Sequence, residues 1–245
     1  MHSEYRRIVP GVETAIMFIH GILGTPRHFD AFVERVPKNV SVRNILLDGH
    51  GKGVREFSRT SMAKWEEQVH RAVTELGQSH RKIYVVAHSL GCLLSVGEAL
   101  RSEKIVGLFF LAAPLKLSLK PRMVTNSLKV YFDRVRPDDG PGMTAKQCCG
   151  IAHSPNFLLY MGWIPRFLEL FRKIRETRKL LPGLTVPCTA FQSGRDEMVS
   201  RKSCRILRAN PHISVTELPC SGHFYYEKAD REALAKAFSV FLESL

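Results

Sequence analysis

The sequence predicts an α/β protein: a mostly parallel sheet with helices on both faces and one helical insertion. Three observations predict it. Short apolar runs rich in β-branched residues alternate with segments of helical period. Several of those runs are apolar on both faces, as strands buried inside a parallel sheet are. One connection between runs, about seventy residues long, is far longer than a crossover needs.

Taken in order, the runs place strands at Thr14 to His20, Val40 to Leu47, Lys82 to His88, Val106 to Ala112, Val186 to Gln192 and Ile213 to Leu218. Between the second and third, "SMAKWEEQVHRAVTELGQ" puts Trp65, Val69, Val73 and Leu76 on one helical stripe. "GCLLSVGEALRSE" follows the third strand as a shorter buried helix, and "DREALAKAFSVFLESL" closes the chain as an amphipathic one.

The long connection follows the strand that ends near Ala113. Its residues 118–183 read as a helical cap, with 1–117 and 184–245 forming the core. It carries 12 Lys/Arg against 5 Asp/Glu, which is seven of the chain's thirteen net positive charges. Within it, "WIPRFLELFRKIRETRKLL" sets Phe167, Leu170, Phe171, Ile174 and Leu181 near one face, with Arg172, Lys173, Arg175 and Lys179 off it. Such a helix packs its apolar face on the main domain as a lid, or lies on an anionic membrane surface.

With 245 residues the chain can form one large α/β domain or two small ones, and it needs no disulfide or metal to hold a core. A net charge of +13 admits anionic partners. No helix-turn-helix, zinc-finger spacing or basic-aromatic cluster supports nucleic-acid recognition. The apolar run at Ala15 to Ile19 is far below the ~20 residues of a membrane span. The amino-terminal stretch also lacks a signal-peptide core, so a cytoplasmic chain is expected. Cys92, Cys148, Cys149, Cys188, Cys204 and Cys220 show neither a C-x-x-C pair nor zinc spacing, and read as free thiols. No metal or organic cofactor is implied, and the sequence leaves the oligomeric state open.

The chemistry-bearing stretch is "VVAHSLGC", residues 85–92. Ser89 ends an apolar strand and opens a helix, with Ala87 two residues before it and Gly91 two after. A sharp strand-to-helix turn that exposes a nucleophile brings strand and helix so close that only small residues fit at those positions. The pattern is G-x-S-x-G with alanine for the first glycine.

With "IHGILGT" at 19–25, "LDGHGKG" at 47–53, and the late "SGRDEMV" and "SGHF", the chain resembles the α/β-hydrolase superfamily. The likeness is strongest to small bacterial carboxylesterases and monoacylglycerol-lipase-like serine hydrolases. It spans nearly the whole chain outside the insertion. Asp48 stands where that family usually has proline. The resemblance implies a chain order of serine, acid, histidine, hence Ser89 as nucleophile, Asp196 as acid and His223 as base, with Glu197 the competing carboxylate. It implies backbone N–H groups of Ile22 and Leu90 as oxyanion donors. His20, His50 and His88 are expected to organise loops, His88 turned away from the nucleophile; His153 could reach only substrate. Asp138 and Asp139 read as turn residues.

The implied reaction is acyl transfer to water through an acyl-enzyme, on a small-molecule ester or lipid: short- to medium-chain esters or monoacylglycerols. A lysophospholipase or thioesterase with the same triad, and a non-catalytic binding protein of the same fold, are the alternatives. The insertion's apolar residues, among them Met123, Val130, Tyr131, Phe132, Phe157, Leu158, Leu159, Tyr160, Met161 and Trp163, suit an acyl chain or the cap's own core.

Overall fold

The computed structural model describes residues 2–132 and 134–245. Its strands are β1 (Tyr5–Arg7), β2 (Thr14–Ile19), β3 (Ser41–Ile45), β4 (Lys52–Gly53), β5 (Lys82–His88), β6 (Ile105–Leu111), β7 (Ile151–Ala152), β8 (Cys188–Ser193) and β9 (Ile213–Leu218). Its helices are α1 (Asp30–Val33), α2 (Val54–Arg59), α3 (Met62–Ser79), α4 (Leu90–Ala99), α5 (Pro121–Tyr131), α6 (Gly140–Cys148), α7 (Ile164–Leu180), α8 (Lys202–Arg208) and α9 (Lys228–Glu243). Seven strands form one sheet in the order β1-β3-β2-β5-β6-β8-β9. Every pairing is parallel except that of the edge strand β1 with β3.

The apolar runs are strands because both of their faces are buried. Along β2, Ala15, Met17 and Ile19 join one core cluster while Ile16 and Phe18 join the other. β5 repeats this with Ile83, Val85 and Ala87 against Tyr84 and Val86, and β6 with Leu108 and Phe110 against Phe109 and Leu111. The period of two sends alternate side chains to opposite layers. Trp65, Val69, Ala72, Val73 and Leu76 of α3 cover the first face. Phe29, Phe32, Leu234 and Phe238 cover the second. Each such large side chain contributes ~1.5–3 kcal/mol when fully removed from water. Helix α3 starts where it does because the Ser61 hydroxyl accepts the Lys64 N–H at 3.2 Å.

The six strands expected from the apolar runs are all present, within two residues at each end. β1 and the two-residue strands β4 and β7, which pair with each other in parallel, were not expected. That pair ties the segment between β6 and β8 to the loop after β3.

Helix α7 lies against α3 and α4 through Leu170, Ile174 and Thr177, and Leu181 beyond its end is also buried. Phe167 is half-buried, whereas Phe171 is exposed. The expectation that Lys173 lies off the packed face is overturned. Its side chain is 4 % exposed, and its ammonium sits 2.6 Å from Glu66 on α3 and 3.0 Å from Glu176. A lysine can occupy an inward position because its long apolar stem packs while its head finds carboxylates. Removing both carboxylates would leave a buried ammonium without compensation.

Candidate active site

Ser89 follows β5 directly and holds φ 51°, ψ −116°, a backbone conformation that L-residues rarely adopt. Strain of this kind costs ~1–3 kcal/mol and persists only where the surroundings fix it. The surroundings do so here. The Ser89 N–H donates to Leu111 O at 2.9 Å, and α4 begins at once with Leu90. A Cβ at Gly91 would fall 2.1 Å from Ile19 O, so only glycine lets α4 start this close to β2. Although Ser89 occupies the N-cap position of α4, its hydroxyl caps nothing and forms no hydrogen bond among the described residues.

Asp196 and His223 meet across the ends of β8 and β9. The two side chains are each 1 % exposed, and Asp196 Oδ2 lies 2.8 Å from His223 Nδ1. The other carboxylate oxygen accepts the N–H groups of Met198 and Val199 at 2.8 and 2.7 Å, which fixes the carboxylate plane. The turn that carries His223 is held by Asp230, which accepts from the Cys220 N–H and the Ser221 hydroxyl. With Nδ1–H donating to the carboxylate, the Nε2 lone pair is free. Nε2 is buried and has no hydrogen-bond partner among the described residues. Burial alone would lower the basicity of His223. The charge and hydrogen bond of Asp196, joined by the charge of Glu197, overcome it and raise the pKa above the ordinary imidazole value.

Glu197, the rival acid from the sequence, has a different place. Its Oε2 accepts the backbone N–H of His223 at 3.1 Å, so both neighbours in "RDEMV" hold the same histidine, one by the ring and one by the main chain.

The loop after β2 lies on Ser89. A Cβ at Gly21 would sit 2.9 Å from the Ser89 Cβ and 3.0 Å from His88 Nδ1. Leu23 has φ 58°, and the Gly24 N–H closes a turn on Gly21 O at 3.0 Å. Two histidines brace this loop, as expected. His20 Nε2 accepts the Leu47 N–H at 3.0 Å, and His50 Nε2 accepts the Leu23 N–H at 3.1 Å. Among the described residues, no group engages the N–H of Ile22 or of Leu90. The Leu90 N–H is a free first-turn donor at a helix N-terminus, where the dipole favours an anion.

His88 braces the loop that carries the base. Its ring lies 4.8 Å, centroid to centroid, from that of His223, and its Nε2–H donates to His223 O at 3.0 Å. On its other side the ring of His28 lies at 4.0 Å. His28, unremarked in the sequence, is held near pKa 3, chiefly by burial and further by its proximity to His223. Nothing in the spacing of His28 marks it; only the fold brings "PRHF" beside the elbow.

The segment between β6 and β8 rests on the same loop. The Gly150 N–H donates to Leu23 O and Gly150 O accepts from Gly51, both at 2.7 Å, and a Cβ at Gly150 would strike Gly24 O. Cys148 Sγ reaches 3.7 Å from His28 Nδ1. Burial pushes that thiol up to about 12, so it is no nucleophile at neutral pH. Ser89 itself is only 5 % exposed. Of the apolar residues offered for an acyl chain, Tyr131, Tyr160 and Trp163 pack ring to ring, ending on Phe57 of α2. Phe132, Phe157, Leu158 and Met161 instead face outward. His153 bonds to the Tyr160 hydroxyl, and Asp139 caps α6 through the Gly142 N–H. All six cysteines are unpaired. No helix among the described residues is long and apolar enough to cross a membrane.

The model of the alpha/beta hydrolase family matches residues 16–237. No curated protein matches the chain in sequence. Among solved structures, the chain is similar to that of the metagenome-derived lipolytic enzymes LipS and LipT (18 % identity, TM-score 0.73, covering 100 % of this chain and 98 % of that one). It is similar to the Paleococcus ferrophilus monoacylglycerol lipase (16 %, 0.71, 99 % and 99 %). A Nitrososphaera gargenis carboxylesterase gives 14 %, 0.70, 98 % and 95 %.

Proposed function

The chain belongs to the alpha/beta hydrolase family, and from that premise we propose that it is a serine hydrolase cleaving carboxylic esters through an acyl-enzyme on Ser89. The observation that carries this reading is the Asp196–His223 hydrogen bond at 2.8 Å, with Nε2 of the same ring without a partner among the described residues and a strained, uncapped serine just past the end of β5.

In the first half-reaction, the Ser89 hydroxyl adds to the ester carbonyl while His223 Nε2 takes its proton. Asp196 keeps the ring in the required tautomer and stabilises the imidazolium. The oxyanion receives hydrogen bonds from the N–H groups of Ile22 and Leu90, neither of which has a partner among the described residues. As the C–O bond breaks, the imidazolium returns the proton to the leaving alkoxide, and Ser89 holds the acyl group. Water then repeats the sequence and releases the acid. Every proton is exchanged through His223, so no cofactor takes part in these steps.

Residues 118–183 act as the cap, and 1–117 with 184–245 as the core. Short- to medium-chain esters or monoacylglycerols are the substrate class, in keeping with the monoacylglycerol lipase and carboxylesterases that share the fold. Six free thiols fit a reducing compartment such as the cytoplasm.

A fluorophosphonate probe tests the assignment. It is expected to label the folded chain at Ser89 and to leave Ser89→Ala unlabelled. A folded chain that resists the probe, or labelling that persists in Ser89→Ala, overturns the reading and favours a binding protein on this fold. p-Nitrophenyl esters of rising chain length, with monoacylglycerols and thioesters alongside, then separate the esterase from lysophospholipase or thioesterase chemistry.

A further inference from the structure

Helix α7 is satisfied on its inner face and open on its outer one. It is preceded by a 3-10 helix, Phe157–Trp163. Residues three apart eclipse one another in a 3-10 helix, and residues three or four apart share a face in an α-helix. Leu158, Met161, Ile164, Leu168 and Phe171 follow that spacing, and each is between 38 % and 62 % exposed. Arg172, Arg175 and Lys179 continue the same stripe. All three are exposed, and none forms an ion pair among the described residues. The stripe is about 35 Å long, apolar in its first half and cationic in its second.

Apolar side chains this exposed and this ordered mark a contact surface. The cations on the same stripe decide among occupants. A second copy would bring two positive faces together, which is repulsive. A small molecule would find nothing to enclose it on this stripe, because its apolar side chains protrude, each between 38 % and 62 % exposed. A bilayer surface offers what is needed: acyl chains that accept separate protruding side chains without a matching pocket, beside a plane of phosphates. We propose that this stripe docks on an anionic phospholipid surface, its apolar half entering the acyl boundary and its cationic half meeting headgroup phosphates. Lys173 takes no part, being buried against Glu66.

The full chain sedimented with phosphatidylcholine vesicles, with or without phosphatidylglycerol as about one-third of the lipid, tests this. Strong partition to the anionic vesicles and weak partition to the neutral ones is expected. Arg172→Gln/Arg175→Gln/Lys179→Gln should weaken anionic binding on the order of 100-fold, since each cation near such a surface contributes about fivefold. Leu158→Ser/Met161→Ser/Leu168→Ser should abolish it, both variants keeping the wild-type circular dichroism.

Failure to partition to anionic vesicles, or undiminished partition by both variants, overturns the proposal. So does a wild-type dimer that the serine variant dissociates, which would give the stripe to a second copy. Preferential binding of polyglutamate over vesicles through the same residues would give it to an acidic protein. Sedimentation is read without any turnover, so its outcome is independent of the chemistry at Ser89.

Discussion

Oδ2 of Asp196 lies 2.8 Å from Nδ1 of His223 while Oδ1 is held by two backbone N–H groups, so the carboxylate has one orientation and the ring one tautomer. Asp196→Asn keeps the volume but loses the charge, and its amide can turn a donor toward Nδ1. The imidazole then shifts its proton to Nε2, where it blocks the Ser89 hydroxyl. Turnover of a p-nitrophenyl ester should fall about 10⁴-fold. Fluorophosphonate labelling should slow in parallel, and retention of wild-type turnover would remove Asp196 from its assigned role.

The pH dependence of kcat/KM should show an acidic limb above pH 6.5. His223 must be neutral to act as base, and its pKa is raised: burial lowers it, but Asp196 and, to a smaller degree, Glu197 raise it more. In Glu197→Gln one raising charge is lost and the burial stays, so the limb should move to lower pH. The amide oxygen can still accept the His223 N–H that Glu197 Oε2 accepts at 3.1 Å, which separates charge from scaffolding. An unmoved limb would restrict Glu197 to the backbone contact.

Much of this site was legible because parallel strands advertise themselves. The runs before Ser89 and Asp196 are apolar on both faces, and each reactive group stands just past the end of such a run. Ala87 and Gly91 were legible for a steric reason, and the space at Gly91 bears that out. What escaped reading depends on tertiary contact. β4 and β7 have two residues each and pair beside the place where Gly150 docks on Leu23 and Gly51. Helical periodicity put Lys173 outside because it weighs the charged head and ignores the stem. His28 and His88 lie ring to ring near the base through tertiary contacts that no local pattern encodes.

Two glycines allow a stability effect to be told apart from a catalytic one. At Gly91 an added Cβ meets the main-chain oxygen of Ile19 at 2.1 Å, and neither backbone can yield without moving β2 or α4. Gly91→Ala should destabilise the fold by about 3 kcal/mol or more, seen as a fall in the urea midpoint. At Gly21 the added Cβ meets the Cβ of Ser89 and the His88 ring at 2.9 and 3.0 Å. A few tenths of an ångström relieve that clash, and they displace the loop that carries the Ile22 N–H. Gly21→Ala should therefore keep most of its stability while losing on the order of 10²-fold in kcat, the effect of removing one oxyanion donor. Equal stability losses in the two variants would contradict this.

Acid should unfold the chain readily, because four histidines around the site are kept neutral. Burial is the leading cause in each: it holds His20 and His88 well below the ordinary value, His28 at about 3 and His50 at about 4. In the unfolded chain all four take a proton as pH falls through 6.5; in the folded chain they refuse it. Their contribution is thus complete above pH 6.5 and is lost progressively below it, down to about 4 for His50 and about 3 for His28. Each differential proton changes stability by about 1.4 kcal/mol per pH unit. His223 acts in the opposite sense: its raised pKa adds stability below 6.5 that disappears as pH rises through the folded value. Once pH is below both of its values that contribution is constant, and the slope belongs to the four neutral rings, about 5 kcal/mol per unit. A domain of ordinary stability, 5–15 kcal/mol, would lose its margin within roughly one to three units. Thermal melts from pH 7 to 4 should show Tm falling steeply below 6.5. His50→Gln should flatten that slope by about a quarter, because its amide oxygen can accept the Leu23 N–H without titrating. A Tm that stays level from pH 7 to 5 would mean that these rings take up protons in the folded chain.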